Sequence, residues 1–403
     1  MTSAAAVPDP RPAHLYVGTF PRAYHRDPVD TAFGVYALRV DPRTGDLRPA
    51  GSVPTPRPGW LAVHPGGRFL YAMNEVRDFE GHPGGGVSAF AADPRTGRLT
   101  ALGTVPLGEP SPCHGVVDAT GRHLIVATFH GGTVHLLPLG DDGRPGPACD
   151  VRRHRGSSVH PRRQTSPHAH SVTLDPANRF VLVADLGTDR LEVYGLDADR
   201  GRLSALPDGG ACLPPGSGPR HTVFHPTAPV VYLVNEMAAT VTVFAWEPEH
   251  GGLRATQTAP VLPEGTTGYR SASGIAVHPT GRFLYVTTRS HGSSGEPPER
   301  GPDSLVTFLI DPGTGRLLPG GRTATGGEIP RSLVLDPDGR HLYVGHQASG
   351  NVVTFRVDPG NGVPEPTGQV VATPVPVCLQ MVPAQAVQEA SAASAVSASR
   401  GTG

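Results

Sequence analysis

Variants of one phrase return six times along this chain: a turn of the form His/Asp-Pro-x-Gly-Arg, followed at once by an apolar strand. The copies start at His64, Asp118, Asp175, His225, His278 and Asp336, so successive starts lie 54, 57, 50, 53 and 58 residues apart. Each unit reads the same way. A short apolar strand such as Ser332–Leu335 precedes the turn, and a Phe-Leu-Tyr-Val type strand follows it. A third strand alternates apolar and polar residues, as at Thr240–Phe244, and a second turn, Asp-Pro-x-Thr-Gly at Asp41, Asp93 and Asp311, leads to an outer strand. A period near 50 residues with four short strands per unit is the pattern of a propeller blade. No segment keeps a 3.6-residue apolar period, so the expectation is all-β.

Six blades are explicit, and the two ends supply the seventh. His14–Phe20 reads as a second strand and Gly34–Val40 as a third, while Pro376–Val382 offers the missing first strand. Pairing the ends in one blade closes the ring and removes two sheet edges. The expected organisation is one seven-bladed propeller over 14–383, with disordered segments at 1–13 and at the Ala/Ser-rich 384–403.

A chain of 403 residues would otherwise suggest two or three domains, and the repeat overrides that prior. Gly (52) and Pro (45) make about a quarter of the sequence, which suits many tight turns. A net charge of −1 gives no electrostatic case for nucleic acid or an anionic membrane. The basic run from Arg152 to Arg163 therefore reads as a long loop at the mouth, with Arg163 and Gln164 turned toward the site. Every basic side chain is Arg, so Schiff-base chemistry on lysine is excluded. The four cysteines lack CxxC spacing, and no apolar run approaches the roughly 20 residues of a membrane span. With no basic and apolar leader after Met1, the expected location is cytoplasmic, as a monomer or homodimer.

In a propeller the first strand of each blade lines the channel. Its start and the end of the second strand then face one mouth. Those positions here are unusually polar. The strand starts bring Trp60, His114, His168, His170, Arg220, Ser273 and Arg331, and the second-strand ends bring Glu75, Phe129, Asp185, Glu236, Arg289 and Gln347. Asn74, Asn235 and Gln347 also suit a purely structural role, satisfying loop backbone. His168, His170, Arg220, Glu236 and Arg289 form the catalytic candidates; His114, Arg331, Asp185, Glu75, Gln347 and Arg163 are the candidates for substrate binding. A neutral imidazole near pH 7 takes or gives a proton, and converging arginines make a fork for carboxylate or phosphate. Glu236 among them should stay ionised, as a base or an anchor.

The His168-Ala169-His170 spacing places both imidazoles on one strand face, a metal half-site that Asp185 or Glu236 would complete. Arg220 and Arg289 oppose a cation there, so no metal or other cofactor is assigned. No Gly-x-Ser-x-Gly elbow accompanies Ser271, Ser273 or Thr288. His64, His225 and His278 belong to the recurrent turn and read as structural.

The run Arg163–Ser171, followed by Val183-Ala-Asp-Leu-Gly187, is similar to the signature of the lactonase family of seven-bladed propellers. So are Gly218-Pro-Arg-His221, Tyr232–Glu236, Tyr285–Arg289 and Ile329–Ser332, and the match covers residues 14–383. The family includes bacterial 6-phosphogluconolactonases and fungal carboxy-muconate lactonising enzymes. The resemblance implies metal-independent lactone chemistry. Muconate-type members use a His, two Arg and a Glu, roles that fall here on His168 or His170, Arg220, Arg289 and Glu236. The departures Thr128-Phe129 and Thr287-Thr288-Arg289 lie in the pocket wall and bear on the substrate. The expected function is hydrolysis of a small anionic lactone resembling 6-phosphogluconolactone, with Asp185 fixing a histidine tautomer. A cycloisomerase or isomerase on a specialised metabolite would use the same groups. A non-catalytic scaffold is the alternative of another class, disfavoured because protein-binding faces prefer aromatic anchors.

Overall fold

Each repeat of the sequence becomes one antiparallel sheet, four-stranded in six blades and five-stranded in the blade that begins at Ala169, and the seven sheets close a ring. The structure is a computed structural model that describes residues 13–21, 34–206, 209–266, 271–290 and 303–382. The terminal segments expected to be disordered lie outside these residues, apart from Ala13. Among the described residues there is no helix; the secondary structure is entirely strand and turn.

The innermost strands are Pro58–Val63, Pro112–Val117, Ala169–Leu174, Pro219–Phe224, Ser271–Val277, Pro330–Leu335 and Pro376–Val382, defining blades one to seven in that order. Blade seven is built as the sequence implies. His14–Thr19 pairs on one side with Val35–Val40 and on the other with Pro376–Val382, in a register that sets His14 opposite Val382. Blade one adds a small hairpin, Asp78–Phe79 with His82–Pro83, between its second and third strands.

The repeated phrases prove to be joints between blades. His64, His225 and His278 of the first turn reach the carbonyls of Gly121, Gly281 and Gly339 in the next blade's turn, at 2.9–3.1 Å. The tyrosine of the following strand does the same farther out. Tyr16, Tyr232, Tyr285 and Tyr343 donate their hydroxyls to Gly97, Gly315, Gly362 and Gly45 at 2.9–3.1 Å. Each acceptor closes the second turn at a φ of 69–75°, a conformation for which glycine has no steric penalty. Apolar clusters between adjacent blades, such as Tyr232, Val243, Leu284 and Phe308, complete the packing. Asn74 and Asn235 are structural: Asn74 bonds Thr55, Pro56 and Ser88, and Asn235 bonds Thr240 and Thr242.

Candidate active site

The device that aims side chains into the channel mouth is a β-bulge at the start of every innermost strand. Pairing skips one residue between Pro58 and Trp60, Pro112 and His114, Ala169 and Ser171, Pro219 and His221, and Pro330 and Ser332. Blade five slips between Ala272 and Ile275, and blade seven between Pro376 and Cys378. A bulged residue leaves the ladder and its side chain is re-aimed. The re-aimed positions include Gly59, Cys113, His170, Arg220 and Arg331. Just before several of them the backbone is strained: Arg57, Ser111, Ile329 and Val375 hold φ between 36° and 60°, unusual for non-glycine residues.

A second ring of positions sits beside the first. In most blades the residue after the second strand donates its N–H to the residue preceding the bulged segment, as in Glu75 to Arg57 (2.8 Å), Phe129 to Ser111 (2.8 Å), Glu236 to Gly218 (2.7 Å) and Gln347 to Ile329 (2.9 Å). Glu75 in blade one is therefore the structural equivalent of Glu236 in blade four.

Glu236 is the centre of the charged side. Its Oε2 meets Arg220 Nη1 at 2.5 Å and Arg289 Nη2 at 2.9 Å, and its Oε1 meets Arg163 Nη2 at 2.6 Å. Arg289 is steadied by Ser271 at 3.1 Å. Burial alone would raise the carboxyl's pKa, but Arg163, Arg289 and Arg220 outweigh it and hold the group well below the usual carboxylate range. Such a carboxylate is a poor base. It organises three guanidinium forks, whose planar geometry suits a carboxylate or phosphate.

The two histidines do different things. His170 Nε2 lies 2.6 Å from Arg220 Nη1. Arginine only donates, so Nε2 accepts and the proton sits on Nδ1, which is sealed from solvent without a partner. Burial first, then Arg220, push its pKa well below the ordinary value and keep the ring neutral. His168 stacks on Phe129 with ring centroids 4.4 Å apart, and its Nδ1 donates to the Phe129 carbonyl at 2.9 Å. That bond leaves the Nε2 lone pair available. The bulge after Ala169 separates the two roles, so the shared strand face expected from the His-Ala-His spacing does not form. Among the described residues no group of three or more His, Cys, Asp or Glu side chains is placed to share a metal ion.

Asp185 fixes a tautomer, but that of His154, whose Nδ1 lies 2.6 Å from Oδ2. Its Oδ1 accepts the backbone N–H groups of His168, Gly187 and Thr188 at 2.8–3.1 Å. Asp185 thus shapes the loop that carries His168, and its oxygens are already occupied. Gln164 is likewise spent on backbone, at Leu186 and His160. Gln347 is half-buried at the blade-six position equivalent to Glu236.

His114 lies deeper. It stacks on Trp60 with centroids 3.9 Å apart, and both pack edge-on against His221 at 5.2–5.3 Å, with His170 5.3 Å beyond. This aromatic group forms the floor of the site, above a channel cavity of about 380 Å³ lined by Trp60, His114, His221 and apolar strand residues. Arg331 and Arg57 flank the Phe20 ring, 5.7 Å and 4.4 Å from its centroid, on the far side of the mouth from Glu236. Phe20, Arg57 and His221 also belong to the site, though nothing in their local sequence sets them apart. The recurring Pro ahead of the bulged residue, at 58, 112, 219, 330 and 376, is the signal that marks the ring.

Comparison with known proteins identifies the family to which this fold belongs. The family model described as "Lactonase, 7-bladed beta-propeller" matches residues 14–381. A protein of Bacillus subtilis named 6-phosphogluconolactonase is 30% identical over 369 residues, covering 91% of this chain and 97% of its own. One of the same name from Formosa agariphila is 28% identical, covering 79% of this chain and 87% of its own. The solved structure of a Pseudomonas aeruginosa periplasmic gluconolactonase superimposes with a TM-score of 0.82 at 31% identity, over 92% of this chain and 99% of that one. No helix among the described residues is long and apolar enough to cross a membrane.

Proposed function

The chain belongs to the lactonase family of seven-bladed β-propellers, and on that premise we propose that it opens a small anionic lactone by adding water at the channel mouth. The observation that carries this reading is the convergence of Arg163, Arg220 and Arg289 on buried Glu236 beside a neutral imidazole. Guanidinium forks bind the substrate's anionic group and favour the oxyanion that develops when the carbonyl is attacked. His168, its tautomer set by the Phe129 carbonyl, takes the proton of the attacking water through Nε2. His170 accepts from Arg220 through Nε2 and helps to orient it, and Glu236 holds the arginines in place. The scheme runs on protein side chains alone.

The Bacillus and Formosa relatives support 6-phosphogluconolactone or a lactone like it as substrate. A cytoplasmic location fits that substrate and the four unpaired cysteines. The test is the initial rate, above spontaneous hydrolysis, on 6-phosphoglucono-δ-lactone and on glucono-δ-lactone, with product mass recorded. The wild type should add one water and favour the phosphorylated lactone. Arg220→Gln should lose about 10²–10³-fold. No enzymatic rate on either lactone sinks the reading, and a product of unchanged mass replaces it with a cycloisomerase.

A further inference from the structure

We propose that Glu75 is the acid that protonates the departing ring oxygen of the lactone. The proposal rests on the hydrolase reading above and assigns the half of the reaction that His168 does not perform.

Glu75 and Glu236 sit at the same step of the blade, three blades apart, and both backbones are tied to the residue preceding a bulge. Their surroundings could hardly differ more. Glu236 has three ion pairs. Glu75 Oε2 is sealed from solvent and has no hydrogen-bond partner, and among the described residues its carboxyl makes no ion pair. The space it fills was made by a deletion of side chain. Gly59 occupies the bulged position of blade one, and a Cβ there would stand 2.4 Å from Glu75 Oε2. Where blade four projects Arg220 into the mouth, blade one projects nothing, and the carboxyl of Glu75 lies over the gap.

The charged and titratable groups around Glu75 are Arg331, Arg57 and Arg220, with the Cys113 thiol. Arg220 and Arg331 are also the electrostatic neighbours of His170, so Glu75 and the imidazole face the same guanidinium groups. Burial raises the pKa of Glu75, against the pull of those three arginines. An anionic substrate neutralising Arg331 and Arg220 would weaken that pull, so substrate binding itself favours the protonated carboxyl. Two carboxyls driven in opposite directions within one mouth separate an acid from an anchor.

The step balances without any further reactant. Water oxygen bonds the lactone carbonyl carbon as its proton passes to His168. The bond from that carbon to the ring oxygen then breaks, and the Glu75 proton goes to the departing oxygen, giving a hydroxyl and a carboxylic acid. The product acid ionises, and once product leaves the open mouth His168 gives up its proton and Glu75 regains one, so one proton is released per turnover.

The test is the pH profile of kcat and KM for Glu75→Gln, a replacement of nearly equal shape whose folding is checked by its melting temperature. The expected result is a kcat lower by about 10²–10⁴-fold with little change in KM, and loss of the alkaline limb of kcat expected of the wild type. A variant with wild-type kcat and an unaltered alkaline limb, or a change in KM alone, overturns the proposal. Titration of the ¹³C-labelled Glu75 carboxyl gives a readout without turnover: a midpoint above ordinary glutamate supports the proposal and one at or below it overturns it. A wild type inert toward both lactones overturns the hydrolase reading and the leaving-group assignment together, whereas an active wild type with an equally active variant removes Glu75 alone.

Discussion

Glu236 and Glu75 show how far environment governs a side chain here, and the histidines extend the point. Burial pushes His114 down to about 3 and His135 and His346 to about 4, and it carries His170 and His221 well below their ordinary value. The unfolded chain binds these protons near pH 6.5, while the folded chain refuses them. Stability should therefore be intact above about pH 7 and fall as pH drops toward the folded values, by up to about 1.4 kcal/mol per pH unit for each ring. Glu236 adds the carboxylate case: its contribution is complete above the ordinary glutamate range and is lost progressively as pH falls from there toward the depressed folded value. Melting temperatures between pH 7.5 and 5 test this, and the slope should lessen in His221→Asn; a flat wild-type trace contradicts it. Residue identities at the mouth were legible in the sequence, because polar groups stood beside apolar strands. Their partners were not. Asp185 looked free to meet substrate, yet its oxygens are taken by His154 and three backbone N–H groups that no local spacing reveals.

At the scale of the element, strands and turns were readable because each carries its own local pattern. The bulges were not. A bulge is a property of register, two residues facing one, and alternation read through it puts His168 and His170 on the same face. The loop around His168 is the sharpest case of backbone closeness. Gly187 has a Cβ position 2.0 Å from the Ser166 carbonyl oxygen and 2.8 Å from the His168 nitrogen. Neither is the flexible end of a side chain, so Gly187→Ala must displace backbone. The expected cost is about 1–3 kcal/mol in denaturant unfolding, together with reduced kcat as His168 leaves its Phe129 contact. Unchanged activity and stability would show that the loop yields freely.

The whole molecule depends on closure. His14–Thr19 is held on one flank only by Pro376–Val382, and blades one and six pack against that last strand. Removing residues 376–382 leaves an unpaired edge inside a ring whose joints run from blade to blade. The truncated chain should lose cooperative unfolding throughout, by calorimetry, rather than shed one blade; a retained melting temperature would refute this. Closure was evident from sequence because the missing strand of the first unit has its counterpart at the other end. The joints were visible only as repetition, since a histidine or tyrosine in a recurring turn does not announce that its acceptor lies in the next repeat.

The seven bulges also bear on how such a protein changes over generations. Residues 59, 113, 170, 220 and 331 stand outside the hydrogen-bonded ladder, so what occupies them is decoupled from what keeps the sheet together. A change at one of these places need not break a ladder hydrogen bond, but it must suit the neighbours at the mouth, as Gly59 suits Glu75 and Arg220 suits both Glu236 and His170. The ring behaves as a row of sockets on a common frame, with neighbouring sockets coupled through the side chains that fill them. Divergence in substrate among such chains can then proceed through small sets of coupled positions, with the architecture held constant.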